Sequence, residues 1–544
     1  MLGVALVALV AGAALAGCGG DGRPAPPLPA FRDIKVEWFY CSLHPGENDG
    51  IADCAETQMP RSWDDPKGPT VPVYAKRLLT SVPATGQLWL LAGGPGASGT
   101  VGLADRMDYH QQLNPDIEVY AIDARGTGYS DYLTCPDQEA AGSDQGGWIT
   151  AAEVDDCVAR VRADHGDVLG LYGMTQSAID LAAYIHAVRK PGTRVFVWGG
   201  SAGAYWAQRH LTQFPDQVDG VVLEGIPPAD FTLGVQDEYD EKIGRRILAL
   251  CAADAFCSGQ LPDPEASLRD LKSRLAAGHC PEAESRLSFG QVVNYLASYF
   301  PFHAMIPGII YRLHRCEAGD LAVYDRLVDK ALGVDWPERY LSQVTNENVI
   351  YSELWESPRF ADNAAFLAYL DGVYAGDLLF AVGQGYHMND AYLRWPRTRD
   401  PLDDVWARTT VPMLMLQGEL DPATPYDFSV EMTEHFAGPH QTYVSFPYGA
   451  HNVFVGTPVA SGPPPLHCAD RIFSAFLVDP VADLDTSCVA ETLPPDFLGT
   501  HWAPRLQGAP DYWENASGGS GLRPRLAESR PGGSGLVGPF WPRR

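Results

Sequence analysis

Six short apolar runs, separated by stretches with helical spacing, organise the middle of the chain. Gln87–Ala92, Ile117–Ile122, Arg194–Trp198, Val218–Leu223, Pro412–Leu416 and Thr442–Phe446 are continuous rather than alternating, the pattern of strands covered on both faces. Between the second and third runs, Ser177–Val188 places Ile179, Leu181, Ala182, Ile185 and Val188 at helical spacing. Nearer the start, Ile34–Tyr40 and Thr70–Arg77 read as two further strands. Alternating strands and helices predict an α/β fold with a mostly parallel sheet.

The alternation is interrupted from 227 to 410, where helical runs rich in Tyr, Phe, Leu and Trp carry four cysteines and no comparable strand occurs. An insertion of that length is too long for a loop and must have its own packing. It is expected to be a helical cap domain inserted between strands, with core segments at 33–226 and 411–500. Residues 18–32 read as a Pro/Gly linker. Residues 501–544 read as a C-terminal extension, disordered from about 516, where Gly518-Gly-Ser-Gly-Leu522 recurs as Gly532-Gly-Ser-Gly-Leu536 in a composition unable to bury apolar surface.

Charge and cysteine usage narrow the setting. The 544 residues carry 39 Lys and Arg against 68 Asp and Glu, a net charge of −29, which excludes nucleic acid as a partner because phosphate binding needs surplus basic side chains. Residues 1–17 are apolar or small and run into Leu15-Ala-Gly-Cys18. That reads as an export signal and resembles the lipobox of bacterial lipoproteins, although the charged leading segment is missing. Lipidation at Cys18 would be the only contact with a membrane, and the protein is expected to be extracytoplasmic, in the cell envelope or secreted. Ten cysteines remain, an even number suited to an oxidising compartment. Sequential pairing, one connectivity among many, would join Cys41/Cys54, Cys135/Cys157, Cys251/Cys257, Cys280/Cys316 and Cys468/Cys488. Neither C-x-x-C nor H-E-x-x-H occurs, so no metal or other cofactor is expected.

The strongest chemical signal is Gly199-Gly-Ser-Ala-Gly203, between the run ending at Trp198 and a helical stretch. G-x-S-x-G in that context is a nucleophile elbow, in which the turn lifts the Ser hydroxyl clear of both elements. Such a hydroxyl needs a base, and the base needs an orienting acid. Asp421 lies 220 residues on and His451 30 further, each just past a predicted strand, in the chain order of α/β-hydrolases. Ser201, Asp421 and His451 are therefore the expected catalytic residues. Glu419 is a rival acid and His467 a rival base. The oxyanion is expected to meet the backbone N–H groups of Ala202 and Gly94, the latter in Gly93-Gly-Pro-Gly-Ala-Ser-Gly99, where glycines permit close approach.

Gly93-Gly-Pro-Gly96, Asp123-Ala-Arg-Gly-Thr-Gly-Tyr-Ser130, Gly199-Gly-Ser-Ala-Gly203, Gly418-Glu-Leu-Asp421 and Gly449-Ala-His451 together resemble the prolyl aminopeptidase and tripeptidyl aminopeptidase family of serine peptidases. The Cys41/Cys54 region and the Cys468/Cys488 tail resemble its secreted tripeptidyl branch, and the likeness spans roughly Ile34 to Leu498. The resemblance implies an α/β-hydrolase fold and an exopeptidase acting on peptides with a free N-terminus. It assigns Ser201 as nucleophile, His451 as general base, Asp421 as its orienting carboxylate, and Gly94 with Ala202 as the oxyanion hole. Two positions depart from it: Ala92 stands where a His is usual, and Tyr351 where a cap cysteine would match.

Holding an ammonium group calls for buried carboxylates in the cap. Glu353 resembles the family's cap carboxylate, and Glu347 is a second candidate. A carboxylesterase or amidase would use the same triad, and a catalytically silent peptide-binding lipoprotein is the third reading.

Overall fold

The computed structural model describes residues 31–515 apart from 141, 144–148, 285–288, 299–301, 333–336, 356–361, 363, 366, 367, 370–378, 381–383 and 461–466. The export signal, Cys18, most of the 18–32 linker and the tail from 516 lie outside the described residues.

Nine strands form one mixed sheet: β1 (Phe39–Cys41), β2 (Ala52–Pro60), β3 (Thr70–Leu78), β4 (Gly86–Leu91), β5 (Ile117–Ile122), β6 (Arg194–Gly200), β7 (Gly220–Glu224), β8 (Met413–Gly418) and β9 (Gln441–Phe446). Their spatial order is β1-β2-β3-β5-β4-β6-β7-β8-β9. The first three strands pair antiparallel and β3 runs antiparallel to β5, while β5 through β9 are parallel. This is an α/β-hydrolase sheet, open and mostly parallel, with helices on both faces.

Burial on both faces explains why the central strands read as continuous apolar runs. Trp89 and Leu91 of β4 and Val195 and Val197 of β6 enter one core cluster, whereas Leu88, Leu90, Phe196 and Trp198 enter another, following the period of two along a strand. The helix Met174–Val188 covers the first face with Ala178, Leu181, Ala182 and Ile185.

Two expectations about the amino-terminal part need correction. Of the run Ile34–Tyr40, only Phe39 and Tyr40 lie in a strand, β1. Ile34, Val36 and Trp38 are half-buried against the first core cluster, so their alternation records packing beneath the sheet rather than ladder pairing. The segment Ala52–Pro60, read as no element at all, pairs with β3 from Asp53 to Pro60.

Between β7 and β8 the described residues form helices, among them Gln236–Ala253, Pro264–Ala276 and Ile306–Arg315. They share one cluster, including Ile247, Leu268, Ile309 and Leu313, with Phe497, Tyr512 and Trp513 from the end of the described chain. Arg312, within that cluster, donates to the carbonyls of Tyr512 and Glu514, both at 2.7 Å. The stretch to residue 515, taken in the sequence as part of an extension, is thus clamped onto the cap. Disulfides join Cys41–Cys54, Cys135–Cys157, Cys251–Cys257, Cys280–Cys316 and Cys468–Cys488. Five disulfides suit an extracytoplasmic compartment. Among the described residues no helix is long and apolar enough to cross a membrane.

Candidate active site

The parallel register brings the ends of β4, β6, β7, β8 and β9 side by side. Leu91 pairs with Gly199, Gly200 with Glu224, Glu224 with Leu416, and Gly418 with Phe446. Every candidate residue of the triad follows one of these ends within a few positions, in the crevice that open α/β sheets use for ligands.

Ser201 follows β6 directly and precedes the helix Ala202–Gln213, with φ +56° and ψ −129°. That conformation is rare for a residue with a Cβ and is held from both sides. Ser201 N–H donates to the Glu224 carbonyl at 2.9 Å. Gly199 leaves room for the Gly203 carbonyl, and Gly203 for the Leu91 carbonyl of β4. Any side chain at either position would pry the helix off the sheet. As the first residue of its helix, Ala202 has an N–H without an intrahelical acceptor.

The loop after β4 lies directly over the elbow. A Cβ on Gly93 would stand 2.9 Å from both the Gly200 carbonyl and Ser201 Cβ. Gly94 and Gly96 have φ of +112° and +87°, a region open to glycine at little cost. The cap holds this loop: Asn346 Nδ2 donates to the Pro95 carbonyl at 2.7 Å, and Ser342 N–H donates to the Gly96 carbonyl at 3.0 Å. Behind it, the buried Asp123 carboxylate accepts from Ser98 Oγ at 2.6 Å, Thr100 N–H at 2.9 Å and Tyr129 N–H at 2.9 Å. Asp123 of the 123–130 motif therefore knits the loop, and Arg125 donates to Asp180 at 2.8 and 2.7 Å; both residues build the scaffold.

His451 and Asp421 meet on the far side of β7. His451 Nδ1 lies 2.8 Å from Asp421 Oδ2, and Asp421 is fully buried. The Asp421 carboxylate also accepts from Ala423 N–H at 2.9 Å, Thr424 N–H at 3.1 Å, Thr424 Oγ1 at 2.7 Å and Gln417 Nε2 at 3.1 Å. Those donors fix the direction of the buried carboxylate. Burial pushes the His451 imidazole down, but Asp421's charge and hydrogen bond outweigh it and hold the ring above its ordinary value. The ring rests on Gly225, where a Cβ would stand 3.0 Å from Nδ1. Among the described residues no hydrogen bond joins Ser201 Oγ to His451; such bonds commonly tighten only once substrate is bound. The two rivals lie elsewhere: Glu419 accepts from Ser445 Oγ at 2.9 Å, and His467 caps the helix Cys468–Val478.

The cap carboxylates occupy different surroundings. Glu353 Oε1 accepts Met174 N–H at 2.8 Å, and Oε2 lies 3.6 Å from Arg209 Nη2, which also bonds Asp403 at 3.0 Å. Burial, opposed by Arg209, pushes the Glu353 carboxyl up to about 7. Glu353 shares the wall of a cavity of about 640 Å³ with Phe231, Tyr351, Trp355, Tyr392 and Arg397. Glu347 Oε1 accepts Ile149 N–H and Gln343 Nε2, both at 3.1 Å, and burial pushes its carboxyl up to about 8. Neither carboxylate contacts Ser201 or His451 in the described structure. Sequence reading passed over Glu224 and, although it quoted the motif that Asp123 opens, gave neither Asp123 nor Asn346 a role, for nothing in the pattern marks their contacts.

Residues 111–229 match the family model of the serine aminopeptidases, S33, and residues 386–488 match that of the TAP-like proteins. Among solved structures, the chain is similar to proline iminopeptidase of Mycobacterium smegmatis, with 14% identity, a TM-score of 0.36, and coverage of 78% of this chain and 98% of the other. It is also similar to a monoacylglycerol lipase of Paleococcus ferrophilus, with 14% identity, a TM-score of 0.32, and coverage of 75% and 99%. A curated relative, the glutamine-hydrolyzing GMP synthase of Escherichia coli, is 32% identical over 130 residues, 23% of this chain. The chain spans 23% of that relative's length.

Proposed function

Given an α/β-hydrolase of the S33-like family, we propose that the chain is a serine exopeptidase that releases N-terminal residues or short peptides through an acyl-enzyme. The observation that carries this reading is the buried Asp421 bonded to His451, together with an elbow serine at positive φ. Ser201 Oγ attacks the scissile carbonyl while His451 takes its proton. The tetrahedral oxyanion draws on the Gly94 and Ala202 N–H groups. His451 then protonates the leaving amine, and the C–N bond breaks. Water, deprotonated by His451, cleaves the acyl ester and restores Ser201.

Glu353 is the proposed acceptor for the substrate ammonium. Its ion partner Arg209 stands on the helix that Ser201 precedes. A lipid anchor at Cys18 and an envelope location belong to the same proposal.

The test compares fluorogenic mono-, di- and tripeptide amides with their N-acetylated forms and a short-chain nitrophenyl ester. Cleavage that needs both Ser201 and the free amine supports the exopeptidase. Ester cleavage alone points to a carboxylesterase, and silence on every substrate to a binding protein.

A further inference from the structure

Glu224 ends β7 and bonds both Ser201 and the turn that follows His451. Its backbone carbonyl accepts the Ser201 N–H at 2.9 Å. Its carboxylate Oε1 accepts Val453 N–H at 2.9 Å and Phe454 N–H at 3.3 Å. Those residues open the short helix Val453–Gly456, two and three positions beyond His451. Oε2 accepts from Arg106 Nη1 at 3.2 Å, and the Arg106 guanidinium lies over the rings of Trp198 and Phe454. The residue is 3% exposed.

The first N–H groups of a helix have no intrahelical acceptor, and leaving them buried without one is unfavourable. A buried carboxylate needs partners. Arg106 and the two amides offset part of the burial that raises the Glu224 carboxyl above its ordinary value, and the three groups satisfy one another. Next along the chain, Gly225 brings its backbone against the His451 ring.

We propose that Glu224 is a positioning residue that fixes His451 relative to Ser201, through its carbonyl to the elbow and its carboxylate to the loop carrying the base. This rests on the roles given to Ser201 and His451 above. Displacing a general base by about 1 Å costs on the order of 100-fold in rate, so the tie acts on reactivity directly.

The experiment measures the second-order rate at which the full-length protein reacts with a fluorophosphonate. Ser201 Oγ attacks phosphorus, its proton passes to His451 and fluoride leaves, so the rate reports the pair without depending on peptide specificity. Glu224→Ala is expected to slow the reaction about 100-fold. Glu224→Gln is expected to stay within about tenfold of wild type, because its side-chain oxygen accepts the same two N–H groups. Val453→Pro removes one donor at a first-turn position that tolerates proline, after Asn452 in extended conformation (φ −110°, ψ 98°). It should slow the reaction about tenfold. A Glu224→Ala protein within about threefold of wild type, or a Glu224→Gln protein as slow as Glu224→Ala, overturns the proposal. If Glu224→Ala does not fold, Val453→Pro decides: wild-type reactivity overturns the tie and slowing supports it. Wild-type protein inert to the reagent removes the Ser201 reading itself, and this inference with it.

Discussion

His451 Nδ1 stands 2.8 Å from Asp421 Oδ2, and the two residues reach each other from separate strand ends, β8 and β9, across 30 positions of sequence. Asp421 favours the imidazolium, so the neutral ring needed to accept the Ser201 proton is populated only above a raised pKa. The acid limb of kcat/KM is therefore expected to have its midpoint above the ordinary histidine value of about 6.5. Asp421→Asn should move that limb to lower pH and reduce kcat about 10⁴-fold. A pH–rate profile of both proteins checks the sign, and an unmoved limb would count against Asp421 as the partner acid.

The approach of Gly93 to Ser201 makes a second prediction. Because an added methyl would meet the Gly200 carbonyl and Ser201 Cβ at 2.9 Å, Gly93→Ala should displace the oxyanion loop. The expected loss is about 100-fold in kcat, with KM changed far less. Steady-state kinetics on a peptide amide measures the split.

Glu347 links the cap to stability. Burial raises its carboxyl to about 8 against the opposing bonds from Gln343 and Ile149, so the folded state prefers the neutral acid. Its contribution is fully present below the unfolded value near 4.5 and is lost as pH rises through about 8. Glu347→Gln should therefore gain on wild type as pH rises from 5 to 9 in paired Tm series. Parallel curves would show that Glu347 is charged in the folded protein.

Glu353→Gln tests the proposed ammonium site. With the carboxylate removed, KM for free-amine tripeptide amides is expected to rise about tenfold, as for one lost charged bond of about 1.5–3 kcal/mol. KM for the N-acetylated forms should hardly change. Equal effects on both would shift attention to Glu347.

The sequence carried the core sheet because each central strand is buried on both faces. Leu88 and Leu90 face one cluster and Trp89 and Leu91 the other, so a continuous apolar run is itself the signal. The elbow was equally legible in its G-x-S-x-G pattern between an apolar run and a helical stretch, although the contact that requires Gly203, with the Leu91 carbonyl of β4, is tertiary. β2 was not, because its exposed positions are polar and its pairing with β3 is a tertiary fact. In the same way, the run Ile34–Tyr40 alternates like a strand, yet its half-buried residues pack beneath the sheet without ladder partners for most of their length.

What the sequence determined by itself, then, is local: strand periodicity, the turn glycines, the order Ser201, Asp421, His451, and the even set of cysteines. The tertiary structure alone decided which distant groups meet. Asn346 reaches Pro95, Arg312 clamps the carbonyl of Tyr512, and Glu224 takes the amides that follow His451. Each is a single side chain satisfying backbone groups from another part of the chain. Such pairing is imposed by the cost of burying an unpartnered polar group, and it leaves no periodic trace along the sequence.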